Sequence, residues 1–220
     1  MNKDYSHIAV VLDRSGSMDS IKDDTIGGFN SFLKSQKEVE GKATFFLAQF
    51  DNQYDVLQDN VDISEVQELN YETFQPRGMT ALYDAIGRTI VSVGEFLSKM
   101  EEAERPAKVF FVVITDGMEN ASQEFKGSKV KEMIDEQQNK YSWKFIFIGS
   151  DINAVNEAHD LGFAKGSSLH FADNAVGTRA VYNSMNKNMS MYRNASVNLS
   201  ADLDFFNEED NKLQDEARTK

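Results

Sequence analysis

The sequence predicts an α/β fold: a Rossmann-like, doubly wound, mostly parallel central sheet with helices on both faces. Two observations carry that expectation. Short apolar runs such as Ile8–Leu12, Thr44–Phe50, Val109–Ile114 and Lys144–Ile148 are nearly continuous in Val, Ile, Leu and Phe, with little polar alternation. Strands of that kind are covered on both faces, as in a parallel sheet. Between them lie stretches with helical periodicity, and strand–helix alternation defines the class.

The elements follow in order. Ile8–Leu12 is the first strand, and residues 19–39 form a helix with Ile21, Phe29, Phe32 and Leu33 on one side and Gly41 as a stop signal. Thr44–Phe50 is the second strand, with Tyr54–Leu57 a short neighbour. The segment 59–77 is the least regular part of the chain. Leu82, Ala85, Ile86, Ile90, Val93, Leu97 and Met100 keep the i, i+3, i+4, i+7 spacing of an amphipathic helix. Val109–Ile114, a helix at about 127–139, Lys144–Ile148, a helix at about 153–161, a weak strand at Ser168–Phe171 and a helix at about 175–193 complete the pattern.

At 220 residues the chain suits one domain, expected over residues 1–198, with an acidic tail over 199–220. Residues 201–220 hold seven acids and three bases, which predicts a solvated tail or frayed helix. Phe205–Phe206 inside it is a candidate docking point on the body or on a partner.

Composition excludes several functions. With no Cys there are no disulfides, thiolate zinc sites, iron–sulfur clusters or Cys nucleophiles. A formal charge of -13 opposes nucleic-acid binding, which draws its affinity from Lys and Arg against phosphate. No basic-then-apolar leader opens the chain, and no window supports a membrane span, so the expected compartment is cytoplasmic.

In open α/β sheets ligands bind at the carboxyl ends of the strands. After the first strand comes Asp13-Arg-Ser15-Gly-Ser17. After the third strong strand comes Thr115-Asp116-Gly117, and Gly78-Met-Thr80-Ala-Leu82-Tyr-Asp84 opens the long amphipathic helix. Together these supply two carboxylates and three hydroxyls, hard oxygen donors suited to Mg²⁺ or Mn²⁺. Gly16 between the serines lets the backbone turn so that both hydroxyls point inward. A structural role is the competing explanation: Ser17 and Thr80 as helix N-caps, and Asp13 and Asp116 as acceptors of backbone hydrogen bonds.

Asp13-x-Ser15-x-Ser17, then Thr80, then Asp116, resembles the metal-ion-dependent adhesion site (MIDAS) of von Willebrand factor A (vWA) domains, as found in small stand-alone bacterial and phage proteins. Gly78-x-Thr80-x-Leu82-x-Asp84-Ala85 and Thr115-Asp116-Gly117 agree with the same family, in the same order along the chain. The resemblance implies an antiparallel edge strand near Tyr54–Leu57 and one divalent cation at the top of the sheet. It implies direct ligation by Ser15, Ser17 and Thr80, with Asp13 and Asp116 acting largely through water. It further implies a protein partner whose Asp or Glu completes the metal. The expected function is cation-dependent protein binding; accessory service to an ATPase or chelatase complex is the alternative, and metal-dependent phosphoester hydrolysis a remote one.

No general base stands beside the site. Nor is there a G-x-x-x-x-G-K-[ST] loop, a G-x-S-x-G elbow, or a second Asp two residues after Asp13. Enzymatic activity is therefore not expected. Asp51 and Asp151, each after a strand, are candidates for a supporting role at the same edge, and Arg14 is expected to face solvent.

Overall fold

The structure, a computed structural model, describes residues 1–195 and 204–219. Six strands form one sheet: β1 (Asn2–Asp13), β2 (Lys42–Phe50), β3 (Tyr54–Asp62), β4 (Pro106–Thr115), β5 (Lys144–Gly149) and β6 (Ser168–His170), in the order β3-β2-β1-β4-β5-β6. All neighbours pair in parallel except β2 and β3, so β3 is the antiparallel edge. Among the described residues six α-helices accompany them: α1 (Lys22–Lys37), α2 (Leu82–Ser98), α3 (Gly127–Tyr141), α4 (Ile152–Asp160), α5 (Ala175–Asn194) and α6 (Glu208–Arg218).

The two faces of the sheet divide the apolar runs residue by residue. Ile8, Val10 and Leu12 of β1, with Phe45 and Leu47 of β2, pack with Phe29 and Phe32 of α1 and with Met185 and Met189 of α5. Their alternating neighbours Ala9, Val11, Phe46 and Ala48 face Ile86, Ile90 and Val93 of α2, Val130 and Ile134 of α3, and Val155 of α4. Side chains alternate across a strand, so two buried faces require two interleaved apolar sets. That is why the runs read as continuous.

Several boundaries move. β1 starts at Asn2 because Tyr5, Ser6 and His7 are buried in the sheet; His7 Nδ1 and the Tyr5 hydroxyl each lie 2.8 Å from Thr44 Oγ1. Polar residues that satisfy one another inside a sheet leave no apolar signature in the sequence. Gly41 does not end α1, whose C-cap is Glu38; it leads directly into β2. The irregular segment begins only after Asp62, where β3 ends.

The expected boundary at residues 198 and 199 lies outside the described residues. Beyond it, residues 204–219 do not form a solvated tail. Phe205 and Phe206 are buried in the same core cluster as Tyr192, and the Phe205 and Tyr192 rings lie 5.5 Å apart. Asn207 caps α6 through a capping box with Asp210. Gln214 fills the last gaps at the β6 side, accepting from Ala172 N and donating to Gly177 O. Asp210 is buried and accepts from Asn188 Nδ2 at 2.9 Å, but the other acids of α6 are exposed, which is why the segment's charge suggested a tail.

Candidate metal site

β1 and β4 are parallel neighbours, so Asp13 and Thr115 end side by side at one edge of the sheet. Asp13 is fully buried. One carboxylate oxygen accepts from Ser15 N at 2.6 Å and the other from the Thr115 hydroxyl. Ser15 Oγ lies 3.2 Å from Ser17 Oγ, and the Ser17 hydroxyl donates to Asp116 Oδ1 at 2.7 Å. Thr80 joins them across Gly117: a Cβ built there would lie 3.3 Å from Thr80 Oγ1 and 3.9 Å from Ser17 Oγ. Three loops far apart in sequence therefore bring all five sequence-predicted residues together.

The capping explanation fails on the same geometry. Ser15, not Ser17, precedes the short 3₁₀ turn Gly16–Ile21, and its side chain makes no capping bond. The N-cap of α2 is Ala81, not Thr80. The three hydroxyls are not consumed by helix ends.

Backbone hydrogen bonds lock the loops to one another. Gly16 N donates to Gly78 O at 3.2 Å, Arg77 N to Arg14 O at 2.8 Å, and Ala81 N to Asp51 O at 3.0 Å. The tight turn falls at Gly78, not Gly16: its φ is +71°, and a Cβ there would stand 2.2 Å from Asn52 Oδ1. On the other side, Ser150 N donates to Thr115 O, and His170 Nε2 lies 2.8 Å from Ser150 O, tying β5 and β6 to the same edge.

Burial pushes the Asp13 carboxyl up to about 7; the hydrogen bonds from Thr115 and Ser15 oppose the rise, and the charge of Asp116 adds to it. Asp116 is raised as well, first by burial and further by the charge of Asp173, against the hydrogen bond from Ser17. The nearest arginine does not neutralise them. Arg14 is buried rather than solvent-facing, and it turns away to Asp51 at 3.2 Å and Asp55 at 2.5 Å. Buried Asp13 and half-buried Asp116, beside the hydroxyls of Ser15, Ser17 and Thr80, form an oxygen donor set that fits a small divalent ion. Among the described residues no three His, Asp or Glu side chains converge, so the donor set is mostly neutral oxygen.

Other candidates have different work. Asp51 accepts from Arg14, from Arg77 at 2.8 Å and from Gln53 N, bracing the loops from below. Asp151 caps α4 through Asn153 N. Four residues to which the sequence motifs gave no role also act here: Asp84 and Thr115, which stand inside those motifs, and Glu119 and Asn120. Asp84, buried in the first turn of α2, accepts from the backbone N–H of Gln123, Glu124 and Phe125. Asn120 Oδ1 accepts from Thr80 N, and Glu119 from Tyr83 N. An acid in the first turn of a helix was the signal; its partners 39 to 41 residues away were not visible.

Neither a family model nor a curated protein matches the sequence. The fold, a mostly parallel sheet with one antiparallel edge strand, is that of a von Willebrand factor A domain. Solved structures show the likeness. The vWF domain of the type V pili tip protein Mfa5 from Porphyromonas gingivalis matches with a TM-score of 0.60 at 10% identity, over 87% of this chain and 97% of that one. Proximal thread matrix protein 1 from the mussel byssus matches with 0.57 at 14%, over 84% and 46%. A von Willebrand factor type A protein from Catenulispora acidiphila matches with 0.55 at 13%, over 85% and 43%. The chain thus spans less than half the length of the last two. The byssus protein has also been solved with zinc in its MIDAS motif. Among the described residues no helix is long and apolar enough to cross a membrane.

Proposed function

We propose that the protein is a divalent-cation-dependent protein-binding module and not an enzyme. One observation carries this: the convergence of Ser15, Ser17, Thr80, Asp13 and Asp116 at the sheet edge, with Ser17 Oγ 2.7 Å from Asp116 Oδ1 and 3.2 Å from Ser15 Oγ. The hydroxyls of Ser15, Ser17 and Thr80 would hold Mg²⁺ or Mn²⁺ directly, and Asp13 and Asp116 would balance its charge, largely through water. A cation held mainly by neutral oxygen stays electron-poor and draws an anionic ligand. The carboxylate of a partner's Asp or Glu is the ligand that fits. The zinc-occupied MIDAS of the byssus protein, on the same fold, supports the metal part of this reading. Operation in the cytoplasm, and as an accessory to an ATPase or chelatase complex, are compatible extensions of it.

The chain's own residues set the site up before any cation arrives. Thr115 and Ser15 N hold Asp13 in one rotamer, and the loop contacts of Gly16 and Gly78 fix the spacing between Ser17 and Thr80. The test is a thermal melt with and without millimolar Mg²⁺ or Mn²⁺, run beside Asp13→Ala. A cation that binds only the folded state raises the melting temperature by mass action. A shift in wild type that is absent in the variant is the expected result; equal behaviour of the two overturns the proposal.

A further inference from the structure

The metal face carries a conflict that narrows what can bind it. Asp13 and Asp116 already offset a divalent charge, yet exposed Asp19 follows Ser17 by two residues, exposed Asp173 is near enough for its charge to act on Asp116, and Asp151 follows Ser150, whose hydroxyl donates to Asp116 O. The whole chain carries -13. An acidic partner is therefore repelled at every distance at which the field is felt, about 8 Å at physiological salt. The attraction of the cation for one carboxylate acts only at contact.

Exposed apolar side chains belong to two of the loops that carry the candidate ligands. Met79, next to Thr80, is 56% exposed, and Met118, two residues after Asp116, is 43% exposed. Asn120 N donates to Thr80 O at 3.0 Å, so both methionines belong to adjoining loops that carry candidate ligands. Neighbouring Met18 is fully buried, so exposure is not general to methionine here. Unbranched, polarisable Met side chains repack readily against apolar partners.

The geometry points to one kind of partner: a basic protein that presents a single Asp or Glu to the metal from among apolar side chains, the apolar part packing on Met79 and Met118. This rests on the metal-dependent binding proposed above and adds the chemistry of its ligand. Positive charge on the partner steers the encounter toward Asp19, Asp151 and Asp173, the carboxylate completes the metal, and apolar contact prolongs the complex.

Synthetic peptides of equal length test it, each with one central Glu. The first flanks the Glu with Leu and Arg, the second flanks it with Ser and Asp, and a third repeats the first with Gln for Glu. Fluorescence anisotropy against the full chain in millimolar Mg²⁺ reads affinity; a melt of the same sample reads the metal. The Leu/Arg peptide binds about tenfold or more tighter than the Ser/Asp peptide at low ionic strength and weakens as salt rises. EDTA, or Gln for Glu, reduces its binding to background. The Met79→Ser, Met118→Ser double variant loses affinity for it but keeps the Mg²⁺ melting shift. Equal or tighter binding of the Ser/Asp peptide, persistence in EDTA, or an unaltered double variant overturns the partner assignment, and an intact melting shift leaves the metal site standing. Absence of the shift in wild type overturns both.

Discussion

At the scale of single residues, the site depends on polar atoms placed where water cannot compensate for errors. Thr80→Ala removes one hydroxyl from a loop already held by its backbone to Asn120. The fold survives, and the Mg²⁺-induced rise in melting temperature shrinks or vanishes. Thr115→Val leaves one oxygen of the buried Asp13 without its donor, which costs about 1–3 kcal/mol by urea denaturation of the metal-free protein. His7 gives a pH signature. Full burial lowers its pKa to about 3 from 6.5, so between those values the unfolded chain binds a proton that the folded one refuses. Stability then falls as pH falls, by up to about 1.4 kcal/mol per unit, with no contribution above 6.5. Asp13 acts in the opposite sense: with its folded pKa raised to about 7, its contribution favours the folded state below 3.8 and is lost as pH rises through 7. In His7→Gln, urea midpoints measured between pH 6 and pH 4 lose the His7 part of the slope, and stability falls less on acidification than in wild type.

At the scale of elements, α2 and the loop after β4 behave as one piece. Asp84 gathers three backbone N–H groups of residues 123–125, and Asn120 and Thr80 bond reciprocally. A carboxylate with several N–H donors is among the stronger neutral-to-charged arrangements in a protein. Asp84→Ala should cost about 2 kcal/mol or more, since the freed amides lie in a partly buried loop. Hydrogen exchange localises the effect: amides of Gln123, Glu124 and Phe125 exchange faster while those of β1 and β4 do not. Unchanged exchange there rejects the clamp. The same contacts explain why the site was legible in part. Its candidate ligands lie in short motifs, four at the ends of β1 and β4 and Thr80 just before α2, which sequence spacing reveals. Asp84, Glu119 and Asn120 act across 36 to 41 residues; Asp84 stands in a motif, but nothing local shows which distant backbone groups these side chains reach.

At the scale of the molecule, the C-terminal segment is part of the fold. Phe205 and Phe206 close the core over Tyr192, and Arg218 donates to His170 O at the end of β6. Phe205→Ala is expected to lower the unfolding free energy by about 3–5 kcal/mol, the range for emptying a buried aromatic site. Chemical denaturation measures it, and a loss below 1 kcal/mol places the segment outside the cooperative unit. Cation binding works on the same equilibrium: at about a hundred times its dissociation constant it returns about 2.7 kcal/mol to the folded state.

The α/β class was determined by the sequence itself, because buried parallel strands and helix stripes leave local periodicity; the convergence of the five candidate ligands was legible there too, because they stand in short motifs beside strand ends and the start of α2. Gly16 was credited with a turn that Gly78 makes, Arg14 with a solvent role, and the last residues with a tail. Each of those outcomes depends on a partner remote in the chain: Gly78 O for Gly16, Asp51 and Asp55 for Arg14, Tyr192 and α5 for Phe205. Tertiary structure decided them because burial and ion pairing are properties of neighbours in space, and a charged or polar residue carries no local mark of whether such a neighbour will arrive.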